Sequence, residues 1–419
     1  MNILIKNIGE LLTCSPLARE KRAHSISMSD LGRIKDAWLF VSDGKIADFG
    51  QGLPPNEIMT GNSVKIIDAE KKLILPGLVD AHTHPLFAGA RFQEFSMRLD
   101  GKSYQEIASQ GGGIQASVEA TRIASATTLS HKLQDSLNKF LEFGITTIEV
   151  KSGYGLSVQE ELRHLQILKD AKSQCKQQLI TTCLALHAVP SEYKSSHDYI
   201  KVITQELLPL VAERELAQYV DAFIENGYFS AAECEGYFQQ AKHLGLKIRI
   251  HADEFSDSGA AVTAALYGAA SADHLQFANQ KGIQAMAEAG VIATVLPGTS
   301  LYTAIPFTDA SRFTQAKCGV AIATDFNPGS CGIFNLPMLA SLAGLHCHLN
   351  TAEVIAGVTY APAKSLDLGA QKGALIQGFD ADFLMHPASC IEEWLADMGQ
   401  TMPDQVWIDG ELAHAKVRN

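Results

Sequence analysis

Along the middle of the chain, short apolar runs alternate with stretches whose apolar residues recur every three or four positions. Eight runs read as strands: Leu73–His82, Ile145–Val150, Leu179–His187, Tyr219–Glu225, Leu246–His251, Ala270–Leu275, Val291–Leu296 and Val320–Asp325. Between them, Leu129, Leu133, Leu137 and Phe140, and again Val158, Leu162, Leu165 and Leu168, keep the spacing of one helix face. Eight strands alternating with helices predict a (β/α)8 TIM barrel, a fold of about 250 residues or more. A doubly wound sheet is the alternative, but no G-x-G-x-x-G follows the first strand.

The two ends follow a different pattern. Ala37–Val41 and Lys45–Phe49 flank Asp43-Gly44, the grammar of a tight hairpin. Ile3–Ile5, Ala381–Met385, Gln405–Ile408 and the Asp409-Gly410 turn repeat the β-like character. The expectation is a small composite β-sandwich domain built from both termini, residues 1–72 and 369–419, around a distorted barrel of residues 73–368.

Composition narrows the function classes. The 419 residues are 46% hydrophobic and 19% charged, which excludes intrinsic disorder and a coiled coil. Lys and Arg number 34 against 46 Asp and Glu, a net charge of −12, and no basic block suits a phosphate backbone. Nucleic acid is therefore not an expected partner. The apolar runs Leu73–Val79 and Gly290–Leu296 fall far short of the roughly 20 residues of a spanning helix. No membrane partner is expected, and a start without a basic, apolar leader points to the cytoplasm. Eight cysteines without a C-x-x-C pair read as reduced packing residues.

The polar residues of the strands gather at their C-terminal ends. Strand 1 runs into Asp80-Ala-His82-Thr-His84, strand 3 into His187, strand 5 into His251-Ala-Asp253-Glu254, strand 6 into Asp273-His274 and strand 8 into Asp325. In a barrel these ends meet at one mouth, where active sites are built. Alternate residues of an extended strand share a side, so His82 and His84 can reach one ion. His251 and Asp325 complete three nitrogens and one oxygen, a donor set suited to zinc or ferrous iron. Core hydrogen bonding for His251 and a turn cap for Asp325 are the structural alternatives. Glu254 and His274 offer the proton carriers that hydrolysis requires, or else a loop charge and a structural hydrogen bond. The second pair, His346-Cys-His348, ends a helical run, where residues two apart diverge, and reads as packing.

Long stretches carry a resemblance as well: Asp80–Phe95, Arg98–Ile114, Glu149–Leu156, His187–Pro190, His251–Ala260, Ser271–Leu275, Leu296–Ser300 and Ala323–Ser330. They resemble the metal-dependent amidohydrolase superfamily, most closely its members that open the ring of an anionic imidazolone in histidine degradation. The resemblance implies a homodimeric enzyme with one zinc or iron ion that hydrolyses the cyclic amide C–N bond of 4-imidazolone-5-propanoate. It implies metal ligation by His82, His84, His251 and Asp325. It also implies substrate contacts from Arg91, Tyr104, Tyr154, His187, Glu254, Asn327, Gly329 and Ser330, with His274 polarising the carbonyl or the water. Arg91, nine residues past His82, offers a bidentate fork to a propanoate. Strand 4 ends in Glu225, not in the lysine that bridges two metals in some superfamily members, which favours one ion.

Tyr302–Arg312 and Ser389–Gln400 depart from the family pattern, and some relatives carry Gln where Glu254 stands. Two rival readings remain. One is an aminohydrolase acting on a cytosine-like or guanine-like ring, and the other is a non-catalytic scaffold on the same fold.

Overall fold

The computed structural model describes residues 2–59, 64–102, 106 and 112–416. The N-terminal strands are β1 (Asn2–Leu12), β2 (Arg33–Ser42), β3 (Lys45–Gln51), β4 (Val64–Asp68) and β5 (Leu73–Pro76). The barrel strands follow: β6 (Leu78–Asp80), β7 (Ile145–Lys151), β8 (Gln178–Leu186), β9 (Tyr219–Ile224), β10 (Lys247–Ala252), β11 (Ser271–His274), β12 (Ile292–Val295) and β13 (Val320–Ile322). The last three are β14 (Phe383–His386), β15 (Gln405–Ile408) and β16 (Glu411–Ala415).

Strands β6 to β13 form one sheet in chain order, every neighbouring pair parallel. Helices cover its outer face. In the helix Ala126–Glu142, Leu129, Leu133, Leu137 and Phe140 are all buried, and Ser125 caps its start by accepting from Thr128 N. The barrel seam between β6 and β13 is polar. Asp80 accepts from Thr324 N at 3.1 Å and from Thr324 Oγ1 at 2.7 Å. Beyond it, Asp325 N donates to His82 O at 3.0 Å and His84 N to Phe326 O at 2.8 Å. The residues that close the barrel are thus the neighbours of its polar mouth.

The other sheet runs β16-β15-β14-β5-β1-β2-β3, with β4 beside β1, so strands from both ends of the chain share it. Both hairpins turn on Asp-Gly pairs with positive φ at each residue, 50° and 78° at Asp43-Gly44 and 50° and 71° at Asp409-Gly410. Trp407 stacks on Phe383 inside this layer.

The single strand expected over Leu73–His82 is two strands. Leu73–Pro76 pairs with β1 and β14, and the barrel begins only at Leu78. Gly77 makes the break: a Cβ there would overlap the side chain of Thr146, so only glycine lets the chain cross from one sheet to the other. The apolar run is continuous because both sheets are buried on both sides there. His346 and His348 also differ from expectation. Both are exposed, and His346 stacks on Phe307 at the surface, not in the core. No helix among the described residues is long and apolar enough to cross a membrane.

Candidate active site

Past β6 the chain stays extended through His82 and His84, which turns both imidazoles the same way. His82 Nε2 lies 3.2 Å from His84 Nε2, which lies 3.3 Å from His251 Nε2. Asp325 Oδ1 is 3.5 Å from His82 Nε2 and 3.4 Å from His84 Nε2. Four donors held tetrahedrally at about 2.0–2.2 Å from one ion would stand roughly 3.3–3.6 Å apart. The residues present therefore fit a single metal ion. Two overlapping donor groups arise among the described residues, His82–His84–Asp325 and His82–His251–His274, and both share His82.

Two of the rings are oriented from behind. His82 Nδ1 is 2.7 Å from Asp273 Oδ2, and His251 Nδ1 is 2.9 Å from Asp221 Oδ2, which leaves each Nε2 aimed at the common centre. Burial lowers the His84 pKa to about 4, so this ring is neutral at pH 7 and presents a lone pair. Burial opposes charge on His82 too, but Asp273 and Asp325 raise its pKa to about 9, so cation loading there displaces a proton. Asp325 is buried, yet contacts with His82 and His84 hold its carboxyl well below the usual range. Thr299 Oγ1 donates to its second oxygen at 2.5 Å. Asp325 (φ 51°) and His274 (φ 81°) both sit in the left-handed region, a backbone strain often found at functional sites.

Beneath the donors lies a charged floor that strand patterns did not reveal. Glu149, Lys151, Asp221, Arg249 and Asp273 come from four strands, β7, β9, β10 and β11, and all are fully buried. Lys151 Nζ bonds Glu149 Oε1 at 2.8 Å and Asp221 Oδ2 at 3.0 Å. Glu149 Oε2 accepts from Thr83 N at 3.2 Å, and Arg249 donates to Ala81 O at 2.8 Å. The backbone on either side of His82 is thereby tied to the floor. Barrel interiors are ordinarily filled by Val, Ile and Leu. Charges inside the runs ITTIEVK, YVDAFI and KIRIHA were the available clue.

The donors open into a cavity of about 580 Å³ lined also by Arg91, Tyr154, His187, Glu254, His274, Asn327 and Ser330. Tyr104 lies outside the described residues. Gly329 is not on the lining but under it, where a Cβ would overlap the Arg91 guanidinium. Arg91 keeps Nε and Nη1 buried without a hydrogen-bond partner. Asn327 is spent on its own turn: Nδ2 donates to Asp325 O and Ser330 Oγ, and Oδ1 accepts from Gly329 N and Ser330 N. His187 Nδ1 lies 3.1 Å from Gly153 O, which leaves Nε2 as an acceptor toward the cavity. Burial, and then Asp325 and Glu225, push the Glu254 carboxyl well up, while burial pushes His274 well down. His274 is thus neutral at pH 7 and the Glu254 carboxyl is biased toward its protonated form, and they face each other with His274 Nδ1 3.6 Å from Glu254 Oε1.

Glu254 is held from both sides. Glu225 accepts from Phe255 N at 2.8 Å and Ser256 N at 3.2 Å. Asp253 accepts from Ser258, Ala260 and Ala261 at the start of the next helix.

Residues 73–413 match the model of the Amidohydrolase family. An imidazolonepropionase from Alkaliphilus oremlandii is 36% identical over 390 residues, covering 93% of this chain and 92% of the relative. One from Symbiobacterium thermophilum is 39% identical over 392 residues, 92% and 91% of the two chains. The chain belongs to the imidazolonepropionase family of amidohydrolases. Solved structures share its fold at much lower identity. The 5-methylcytosine deaminase of Klebsiella pneumoniae superposes with a TM-score of 0.74 at 17% identity, covering 100% of this chain and 99% of that one. Guanine deaminase of E. coli gives 0.71 at 16%, with full coverage of both. Imidazolonepropionase family membership also fits the fold as found, a TIM barrel with a β-sandwich built from both termini.

Proposed function

We propose that this enzyme hydrolyses the ring amide of 4-imidazolone-5-propanoate, giving N-formimino-L-glutamate. The observation that carries the reading is Arg91, a cation with unpartnered N–H groups, in the same cavity as the metal donors. A cytosine-like or guanine-like ring has no carboxylate to meet it. Relatives named imidazolonepropionase at 36–39% identity support the same substrate.

A bound zinc or iron ion would be held by His82, His84, His251 and Asp325 and would supply a Lewis acid that lowers the pKa of water toward about 7. Asp325, an anion within reach of that centre, accepts the proton as water attacks the ring carbonyl. His274 donates a hydrogen bond to the oxygen on which negative charge develops. The C–N bond then breaks, and the neutral Glu254 donates its proton to the departing ring nitrogen. The carbonyl carbon becomes the α-carboxylate, and the nitrogen remains in the formimino group. Arg91 pairs with the propanoate, and His187 Nε2 accepts an N–H of the ring. A cytoplasmic homodimer completes the reading, tested by sedimentation.

The direct test follows the disappearance of imidazolone propanoate with the purified enzyme loaded with zinc or iron. Turnover of cytosine or guanine and none of the imidazolone would overturn the assignment. Two variants probe its parts. Glu254→Gln keeps the shape but cannot protonate, and kcat is expected to fall about 10²-fold. The wild-type donor works below its raised pKa and is lost as pH rises through it. The alkaline limb of kcat should therefore flatten in the variant, and full activity in Glu254→Gln would sink the proton-donor role. Gly329→Ala drives a methyl group into Arg91, and KM is expected to rise roughly tenfold or more. Metal content should not change.

A further inference from the structure

We propose that Glu161 is a positioning residue for substrate recognition: through the loop 152–156 it fixes the Gly153 carbonyl that orients His187. The inference rests on the ring contact assigned to His187 above. Glu161 lies near the start of the helix Val158–Ala171, on the stripe that also buries Leu165 and Leu168. It is fully buried, a costly place for a carboxylate unless donors meet it. Helix side chains tilt toward the N-terminus, so this one reaches back to the loop that precedes the helix. Its Oε1 accepts from Gly155 N at 2.8 Å and from Leu156 N at 2.9 Å. Both donors are backbone groups, so the carboxylate shapes the chain itself.

The loop needs such a template. Gly153 (φ 114°) and Leu156 (φ 50°) both have positive φ, a conformation that side chains rarely favour. At Gly155 a Cβ would stand 2.7 Å from Glu161 N, so the loop rests directly on the start of the helix. Arg122 Nε donates to Gly155 O at 2.6 Å and holds the same residue through its carbonyl. At its other end the loop is tied to β8. Ser152 N donates to Thr182 O at 3.0 Å, and Ser152 Oγ accepts from Leu184 N at 3.2 Å. Gly153 lies between these anchors. Its carbonyl accepts from His187 Nδ1 at 3.1 Å, and a Cβ on it would come within 3.0 Å of that nitrogen. A shift of the loop therefore changes which way His187 faces and which nitrogen carries its proton. His187 in turn stacks on the metal donor His84, with ring centres 5.3 Å apart.

The test is a double-mutant cycle read as binding, which does not depend on turnover. Imidazole-4-propanoate is titrated calorimetrically into metal-loaded wild type, Glu161→Leu, His187→Ala and the double variant. Glu161→Leu should weaken binding roughly fivefold, the scale of one lost hydrogen bond. With His187 already removed, the same substitution should cost less than about twofold, because residues that act through one another do not add. Glu161→Gln keeps an acceptor for the two N–H groups and should stay within about threefold of wild type. Metal content should match wild type throughout. If Glu161→Leu does not fold, Arg122→Met takes its place in the cycle, since it frees the same loop at Gly155 O. Equal losses in both backgrounds, or no loss in either, would overturn the role of Glu161. So would a Glu161→Gln variant as weak as Glu161→Leu, or a loss of metal. Full affinity in His187→Ala would instead remove the ring contact itself, and with it the part of the substrate reading on which the inference rests.

Discussion

Asp325→Asn is expected to lower kcat on imidazolone propanoate by about 10³-fold, within the range of lost general base catalysis. The substitution preserves volume and leaves an oxygen that can still accept from Thr299 Oγ1. It removes the negative charge that stands 3.4–3.5 Å from two imidazole nitrogens. It also removes the one carboxylate in the donor set with its proton-accepting form secured, since contacts with His82 and His84 keep it ionised despite burial. Ion affinity should fall as well. Kinetics at saturating zinc, with metal analysis of the same sample, separate the two losses. A variant that retains full turnover with a full complement of metal would place the proton acceptor elsewhere.

Removing the ion by chelation is expected to abolish hydrolysis and to lower the melting temperature, and readdition of zinc or iron should restore both. Three ring nitrogens and a carboxylate oxygen are held together by the surrounding strands, with nitrogen–nitrogen and nitrogen–oxygen distances of 3.2–3.5 Å. A ligand at a thousand times its dissociation constant stabilises the folded state by about 4 kcal/mol. For a chain of this size that corresponds to a shift of roughly 5 °C in Tm. The proton displaced from His82 predicts that ion binding weakens as pH falls. Full activity in a metal-free preparation would remove the metal from the chemistry altogether.

Much of this arrangement was legible in the residues. Seven of the eight barrel strands lie where the apolar runs placed them, because a parallel strand covered on both faces has no polar alternation to obscure it. The histidines and Asp325 were visible because strand ends converge whatever the loops do. Three things escaped. The break at Gly77 leaves no trace in hydrophobicity, and only the contact with Thr146 explains it. Glu149, Lys151, Asp221 and Arg249 lie in or beside apolar strand runs, and pattern counting has no way to pair Lys151 with Asp221 across the intervening β8. Arg98 had no reading of its own in the sequence, and its place is decided by the packing of Gly329 and Tyr302 against it.

The break at Gly77 also bears on how the chain is made. Strand β5 finds its parallel partner β1 as soon as both have left the ribosome, but its other edge pairs only with β14. That partner begins about 310 residues later, which at roughly 5–20 residues per second is about 15–60 s of synthesis. Throughout that interval one edge of β5, just upstream of the strand that leads into His82 and His84, keeps its backbone groups open to any strand that passes. Nascent chains stalled before residue 383 are the species in which aggregation, or protection by a chaperone, should be sought.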